Sequence, residues 1–97
     1  MITFEWDPRK DLSNQKKHGI SFDEAKTVFD DVEAIAFDDP EHSSDEERLL
    51  IIGLSNKGNL CIVSHCYRGD FIIRIISARK ANSQETVVYK KYSGGMS

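Results

Sequence analysis

The chain is short of most features that announce a function. No apolar run approaches the 18 or so residues that a membrane-spanning helix needs. Residues 1–5 carry neither a basic segment nor an apolar one, so no signal peptide is expected and a cytoplasmic location is. There are only two cysteines, Cys61 and Cys66, which excludes a disulfide scaffold. Five residues apart in one apolar segment, they point to opposite faces of a strand and cannot bridge without distortion. Buried thiols in a reducing compartment are the expectation. Three scattered histidines do not complete a zinc site, and neither metal nor cofactor is expected. There is no glycine-rich phosphate loop and no GxSxG elbow. No carboxylate pair stands out as an acid–base dyad, since Asp38 and Asp39 lie at a loop start. Basic side chains are missing altogether from residues 30–47, which hold nine acidic ones.

The chain does contain the material for one small domain. Of its 97 residues, 39% are hydrophobic and 30% charged, ordinary values for a globular protein. Dense Ile, Val, Leu and Phe in the second half exclude disorder. A single domain over 1–92 and a flexible tail over 93–97 are expected. The net charge of −3 hides an asymmetry: residues 1–55 balance at −8 and residues 56–97 at +5. An acidic total argues against a protein that coats nucleic acid with its whole surface, but leaves room for one basic cleft.

Residues 2–6 alternate and read as a first strand. Asp7 and Pro8 then open a polar helix over 9–17, ended by Gly19. Ser21 and Glu24 form a capping box ahead of an apolar stripe, Phe22, Ala25, Val28 and Phe29, which predicts a helix over 22–30. Strands are predicted over 34–37, 48–55, 60–68 and 71–79. Gly69-Asp70 suits a two-residue type II′ hairpin loop. Asn82 and Glu85 form a second capping box, with Val87, Val88 and Tyr92 toward the sheet.

A two-residue loop sets the register. Tyr67 then faces Ile72, Cys66 faces Ile73 and His65 faces Arg74. One face carries Leu60, Ile62, Ser64, Cys66, Phe71, Ile73, Ile75 and Ser77, with Arg79 at its end, and should pack on the helices. The other face places His65 across from Arg74 with Tyr67 beside them, β-carbons about 4.5–5.5 Å apart. Two cationic groups this close suggest an anion between them. Plainer readings exist for each residue. His65 suits a neutral, hydrogen-bonded sheet position, and Arg74 a surface ion pair. Arg68 suits a partner for Asp70, and Arg79 a partner for Glu85. His18 suits a cation at a helix C-terminus. His42 suits a surface loop, and Trp6 the core.

Several blocks in order resemble BrnT-type toxins. These are Phe4-Glu5-Trp6-Asp7-Pro8 and Asn14 through Lys17-His18-Gly19-Ile20-Ser21-Phe22. Asp39-Pro40-Glu41-His42-Ser43 with Glu47-Arg48 follows, then Arg74-Ile75-Ile76-Ser77-Ala78-Arg79-Lys80-Ala81. The resemblance covers about residues 4–92. It implies an α+β, RelE-like fold, a twisted antiparallel sheet with two N-terminal helices and one C-terminal helix. It implies a type II toxin that cleaves RNA without a metal and inhibits growth. It also implies a BrnA-like antitoxin partner, with operator DNA touched only through the antitoxin complex.

An endoribonuclease of this kind lets the ribose 2′-OH attack the adjacent phosphorus. It needs a base, an acid and cations for the phosphorane. Arg74 and Arg79 are the candidates for the phosphate, and His18 and His65 for proton transfer. Lys17, Tyr67 and Arg68 are candidates for substrate binding. The competing reading is a non-catalytic toxin relative or a partner-binding module. The polar first helix and the acidic residues 30–47 motivate it, as surfaces for a basic partner.

Overall fold

The computed structural model describes residues 1–41 and 48–93. His42 and the acidic residues 45–47, as well as the tail beyond Ser93, lie outside the described residues. The elements run β1 (Thr3–Glu5), α1 (Pro8–His18), α2 (Phe22–Thr27), a 3₁₀ turn (Val28–Asp30), β2 (Ile35–Asp38), β3 (Leu49–Leu54), β4 (Leu60–Tyr67), β5 (Ile72–Lys80) and α3 (Ser83–Tyr92). The strands form one sheet in the order β1-β5-β4-β3-β2. The expected all-antiparallel sheet is corrected at one edge, where β1 pairs in parallel with β5 through Thr3, Phe4 and Glu5 opposite Ile72, Ile73 and Arg74.

Each helix starts where its cap chemistry dictates. Asp7 accepts the Arg9 N–H at 2.9 Å and Pro8 fills the first helical position. Gly19, at φ 73°, ends α1 by donating its N–H to the Gln15 carbonyl. Ser21 accepts the Glu24 N–H at 3.0 Å. The expected return bond from Glu24 is not what this carboxylate makes. It accepts from Ser55 Oγ at 2.6 Å and Asn59 Nδ2 at 2.7 Å, fastening α2 to the β3–β4 turn. The α-helix also stops at Thr27 and tightens into the 3₁₀ turn, where one helix over 22–30 was expected.

Ile20, Phe22, Ala25 and Val28 pack on Ile51, Cys61, Val63, Ile75 and Ala78, with Phe4, Trp6 and Phe29 at the margin. Cys61 faces this core and Cys66 stands opposite Arg74 on the other face, so the two form no disulfide. Burial, and then the negative charge of Glu24, pushes the Cys61 thiol up to about 11, an unreactive value. Gly53 lets the helical layer approach. A β-carbon there would lie 2.9 Å from Val28 Cγ1 and 3.0 Å from Ala34 Cβ. Gly53→Ala is therefore expected to cost about 1–3 kcal/mol, read as a lower urea midpoint with unchanged slope.

The β4–β5 hairpin departs from the expected register. Arg68 N–H donates to Ile72 O at 2.8 Å, which closes a three-residue loop, Gly69 to Phe71, with Gly69 at φ 94°. Tyr67 therefore faces Ile73, Cys66 faces Arg74 and His65 faces Ile75. A bulge follows: Ser64 faces Ser77 and Ile62 faces Arg79, which leaves Ile76 unopposed. The face packed on α2 and its 3₁₀ turn thus carries Cys61, Val63, His65, Ile73, Ile75 and Ala78. Ile62, Ser64, Ser77 and Arg79 share the other face, as expected, but α2 does not cover it.

Candidate active site

The exposed sheet face becomes a cleft because three elements rise around it. The C-terminal turn of α1 brings His18 to one side. The start of α3 brings Glu85 to another, and residues 39–41 with Arg48 close a third. The cavity is about 380 Å³, floored by Leu50, Ile62, Ser64 and Ser77, with Arg79 projecting from β5.

Arg79 is held rigidly. Its Nη1 and Nη2 donate to Glu85 Oε1 and Oε2 at 2.9 and 2.8 Å, and Nη1 also reaches Lys80 O at 3.2 Å. Glu85 Oε1 accepts the Asn82 N–H at 2.8 Å as well, completing the expected capping box. One carboxylate thus caps α3 and orients the guanidinium. The bidentate bond from Arg79 holds the Glu85 carboxyl below the usual carboxylate range, and Glu85 raises Arg79 in turn. Of the five N–H donors of an arginine, this leaves Nε–H and the second Nη2–H, which lie on one edge. That edge matches two oxygens of a phosphate.

A second cavity of about 210 Å³ runs along α1, lined by Lys10, Ser13, Asn14 and Lys17, and shares His18 and Ser77 with the cleft. Lys10, Lys17, His18, Arg48 and Arg79 therefore border two adjoining cavities that form one depression, with Asp39, Glu41 and Glu85 in the same lining. Among the described residues, no three His, Cys, Asp or Glu side chains converge to hold a metal ion. No helix among them is long and apolar enough to cross a membrane.

The chain matches the family model described as ribonuclease toxin, BrnT, of type II toxin–antitoxin systems, over residues 6–85. The chain belongs to the BrnT family. Among solved structures, the 1.1 Å crystal structure of the Brucella abortus ribonuclease toxin BrnT matches with a TM-score of 0.67 and 25% identity. The match covers 86% of this chain and 100% of that one. No curated protein matched the chain. As a BrnT-family member it is a ribonuclease toxin of a type II system, a growth inhibitor with an antitoxin partner.

Within this BrnT domain the seven residues singled out by sequence separate into two groups. Lys17, His18 and Arg79 border the depression. His65, Tyr67, Arg68 and Arg74 border neither cavity and gather at the hairpin end of the sheet. Arg74 lies roughly 15 Å along β5 from Arg79 and is paired with Glu5 at 3.1 Å, its cross-strand neighbour. The expected His65–Arg74 pair does not form, because the three-residue loop shifts the register. His65 is 1% exposed in the core, edge-on to Phe29 at 4.8 Å, with Nδ1 at 3.1 Å from Val63 O. An RNA strand cannot reach it there. Tyr67 stacks edge-on to His65 at 6.0 Å and Arg68 sits in the exposed loop. Two cleft residues were not among the site candidates from sequence: Glu85, expected only as a cap and ion-pair partner, and Arg48, which forms a wall.

Burial depresses the His65 imidazole below its ordinary 6.5, only partly offset by the Val63 carbonyl. The unfolded chain then binds the proton more readily than the folded one. The stabilising effect of neutral His65 is whole above pH 6.5 and is lost as pH falls toward the lower folded value. Urea midpoints should decline from pH 7.5 to 5, and His65→Leu should flatten the first part of that decline. An unchanged slope in the variant would exclude His65 as the titrating group.

Proposed function

We propose that this ribonuclease toxin cleaves RNA in the His18–Arg79–Glu85 cleft, using its own side chains without a metal ion. The observation that carries the reading is the Arg79 fork, anchored on Glu85 with one donor edge unspent. The ribose 2′-oxygen forms a bond to phosphorus and its proton passes to a base. The P–O5′ bond breaks, and the leaving oxygen takes a proton from an acid. The products are a 2′,3′-cyclic phosphate and a 5′-hydroxyl. Arg79 stabilises the charge that grows on the phosphorane oxygens. His18 is the proton-transfer group of the cleft, and Lys17 with Lys10 guides the flanking backbone. His65, Arg74, Tyr67 and Arg68 play no part in the chemistry on this reading.

The architecture is read as RelE-like: α2 packed on one face of a small twisted sheet, and on the other a cleft bordered by α1 and α3. The antitoxin is read as BrnA-like, and operator DNA is contacted only through the antitoxin. The toxin acts in the cytoplasm, where its RNA is. An apolar cavity between α3 and the β2–β3 edge, lined by Ile35, Phe37, Ile52, Val88 and Tyr92, supports a protein partner close to the cleft. One observation favours the competing, non-catalytic reading: Glu85 occupies two donors of Arg79 in the resting pair.

Purified toxin incubated with RNA and excess chelator separates the two. The expected result is fragments ending in cyclic phosphate, with His18→Ala slower by about 10²-fold or more. Intact RNA at high toxin concentration, together with no growth arrest on induced expression, would establish the non-catalytic reading instead.

A further inference from the structure

We propose that Arg48 is a substrate residue of this cleft, gripping an RNA phosphate beside the one held at Arg79. The assignment rests on the cleft being the RNA site. Arg48 stands immediately before β3, lines the cleft and is half-buried. Its Nε–H is buried and has no hydrogen-bond partner, the sole such side-chain atom among the described residues. Its guanidinium makes no ion pair among the described residues either, whereas Arg9, Arg74 and Arg79 each have a carboxylate. A folded chain normally satisfies a buried donor. Leaving one bare costs stability that an acceptor entering the cleft recovers. The Arg48 carbonyl accepts the Asp39 N–H at 3.1 Å, which fixes the backbone at the wall of the cleft. The nearest basic residues along the chain are Lys26 and Lys57, so this charge is placed alone among Leu49, Leu50 and acidic neighbours. A guanidinium with donors to spare, facing the same cavity as Arg79, fits the spread oxygens of a second phosphate. A mononucleotide offers one phosphate, whereas an RNA strand offers the row that Lys17, Arg79 and Arg48 together require.

The test uses a short mixed-sequence 2′-O-methyl RNA, which has no attacking hydroxyl and so separates binding from cleavage. Its affinity is measured by fluorescence anisotropy across a salt series for wild type and Arg48→Met, which retains much of the side-chain volume. The expected result is a loss of about tenfold or more at low salt. The slope of log K against log salt should become shallower by roughly 0.7, the value for one single-strand phosphate contact. Arg48→Met should melt at the same temperature or higher, up to about 4–8 °C, because the bare donor is gone. An unchanged salt slope overturns the assignment, as does a lowered melting temperature, which marks a structural arginine. Wild type that binds no RNA overturns it too. If wild type binds with an Arg48-dependent slope yet cleaves nothing, the cleavage reading falls and this one stands.

Discussion

Asn14→Ala is expected to destabilise the protein by roughly 3–5 kcal/mol, a large share of the total for a small domain. The residue is buried within an otherwise polar helix. Its Nδ2 donates to Ile20 O and to Ala78 O, each at 2.8 Å, and its Oδ1 accepts the Ala78 N–H at 3.1 Å. The reason lies in the sheet. β1 covers β5 only from Ile72 to Arg74, so the rest of β5 is an open edge. α1 runs beside that edge, and the Asn14 amide presents one donor and one acceptor where a neighbouring strand would have presented its own. Truncation leaves three buried backbone groups without partners, each costing about 1–3 kcal/mol before any relief from water. Asn14→Asp is the sharper control. It keeps the acceptor, loses both donors and buries a charge, so it should be no better than alanine. Urea unfolding at neutral pH measures both. A loss under about 1 kcal/mol for alanine would show that α1 is held to β5 by something else.

The contrast between local and non-local features explains what the sequence revealed. Asp7, Ser21 and Asn82 cap their helices as expected because a cap is decided within four residues. The ion pair of Arg79 with Glu85 spans six residues and was readable for the same reason. The hairpin was not. Gly69 at φ 94° serves a two-residue or a three-residue loop, and one residue of slip exchanges the faces of a strand. The bulge at Ile76 then exchanges them back, with no glycine to mark it. This is why Arg79 was placed on the correct face with Ile62 and Ser64, while His65 and Arg74 were paired in error. Glu24 was misassigned as a local cap because its partners, Ser55 and Asn59, are 31 and 35 residues away.

The site divides along the same line. His18 reaches the cleft and Lys17 the adjoining cavity because they occupy the last turn of a helix that follows the β5 edge, a placement no spacing discloses. Arg48 was read only as part of the Glu47-Arg48 block and as the start of a strand, with no chemical role. Its missing partner is visible only once the strands are assembled. The sequence signal was present but faint: a solitary basic residue directly before four aliphatic ones, Leu49 to Ile52.

Arg79→Ala is expected to lower kcat/KM for RNA cleavage by about 10²–10³-fold, the usual cost of removing one preorganised donor from a developing oxyanion. The fold should survive. The Arg79 and Glu85 side chains are 43% and 25% exposed, so their ion pair contributes under about 1 kcal/mol to stability. Glu85 keeps its bond to the Asn82 N–H when the arginine is gone, so α3 remains capped. Arg79→Lys should recover little, because a point charge cannot span two phosphate oxygens while also engaging Glu85. Glu85→Gln isolates the orienting role. It retains an acceptor for the Asn82 N–H but loosens the fork, so a fall in kcat of about tenfold is expected with KM nearly constant. Single-turnover cleavage at saturating toxin reads the chemical step directly, and thermal melting monitors the fold in parallel. Cleavage by Arg79→Ala within threefold of wild type would remove Arg79 from the reaction, and would leave its pairing with Glu85 as a structural clasp between β5 and α3.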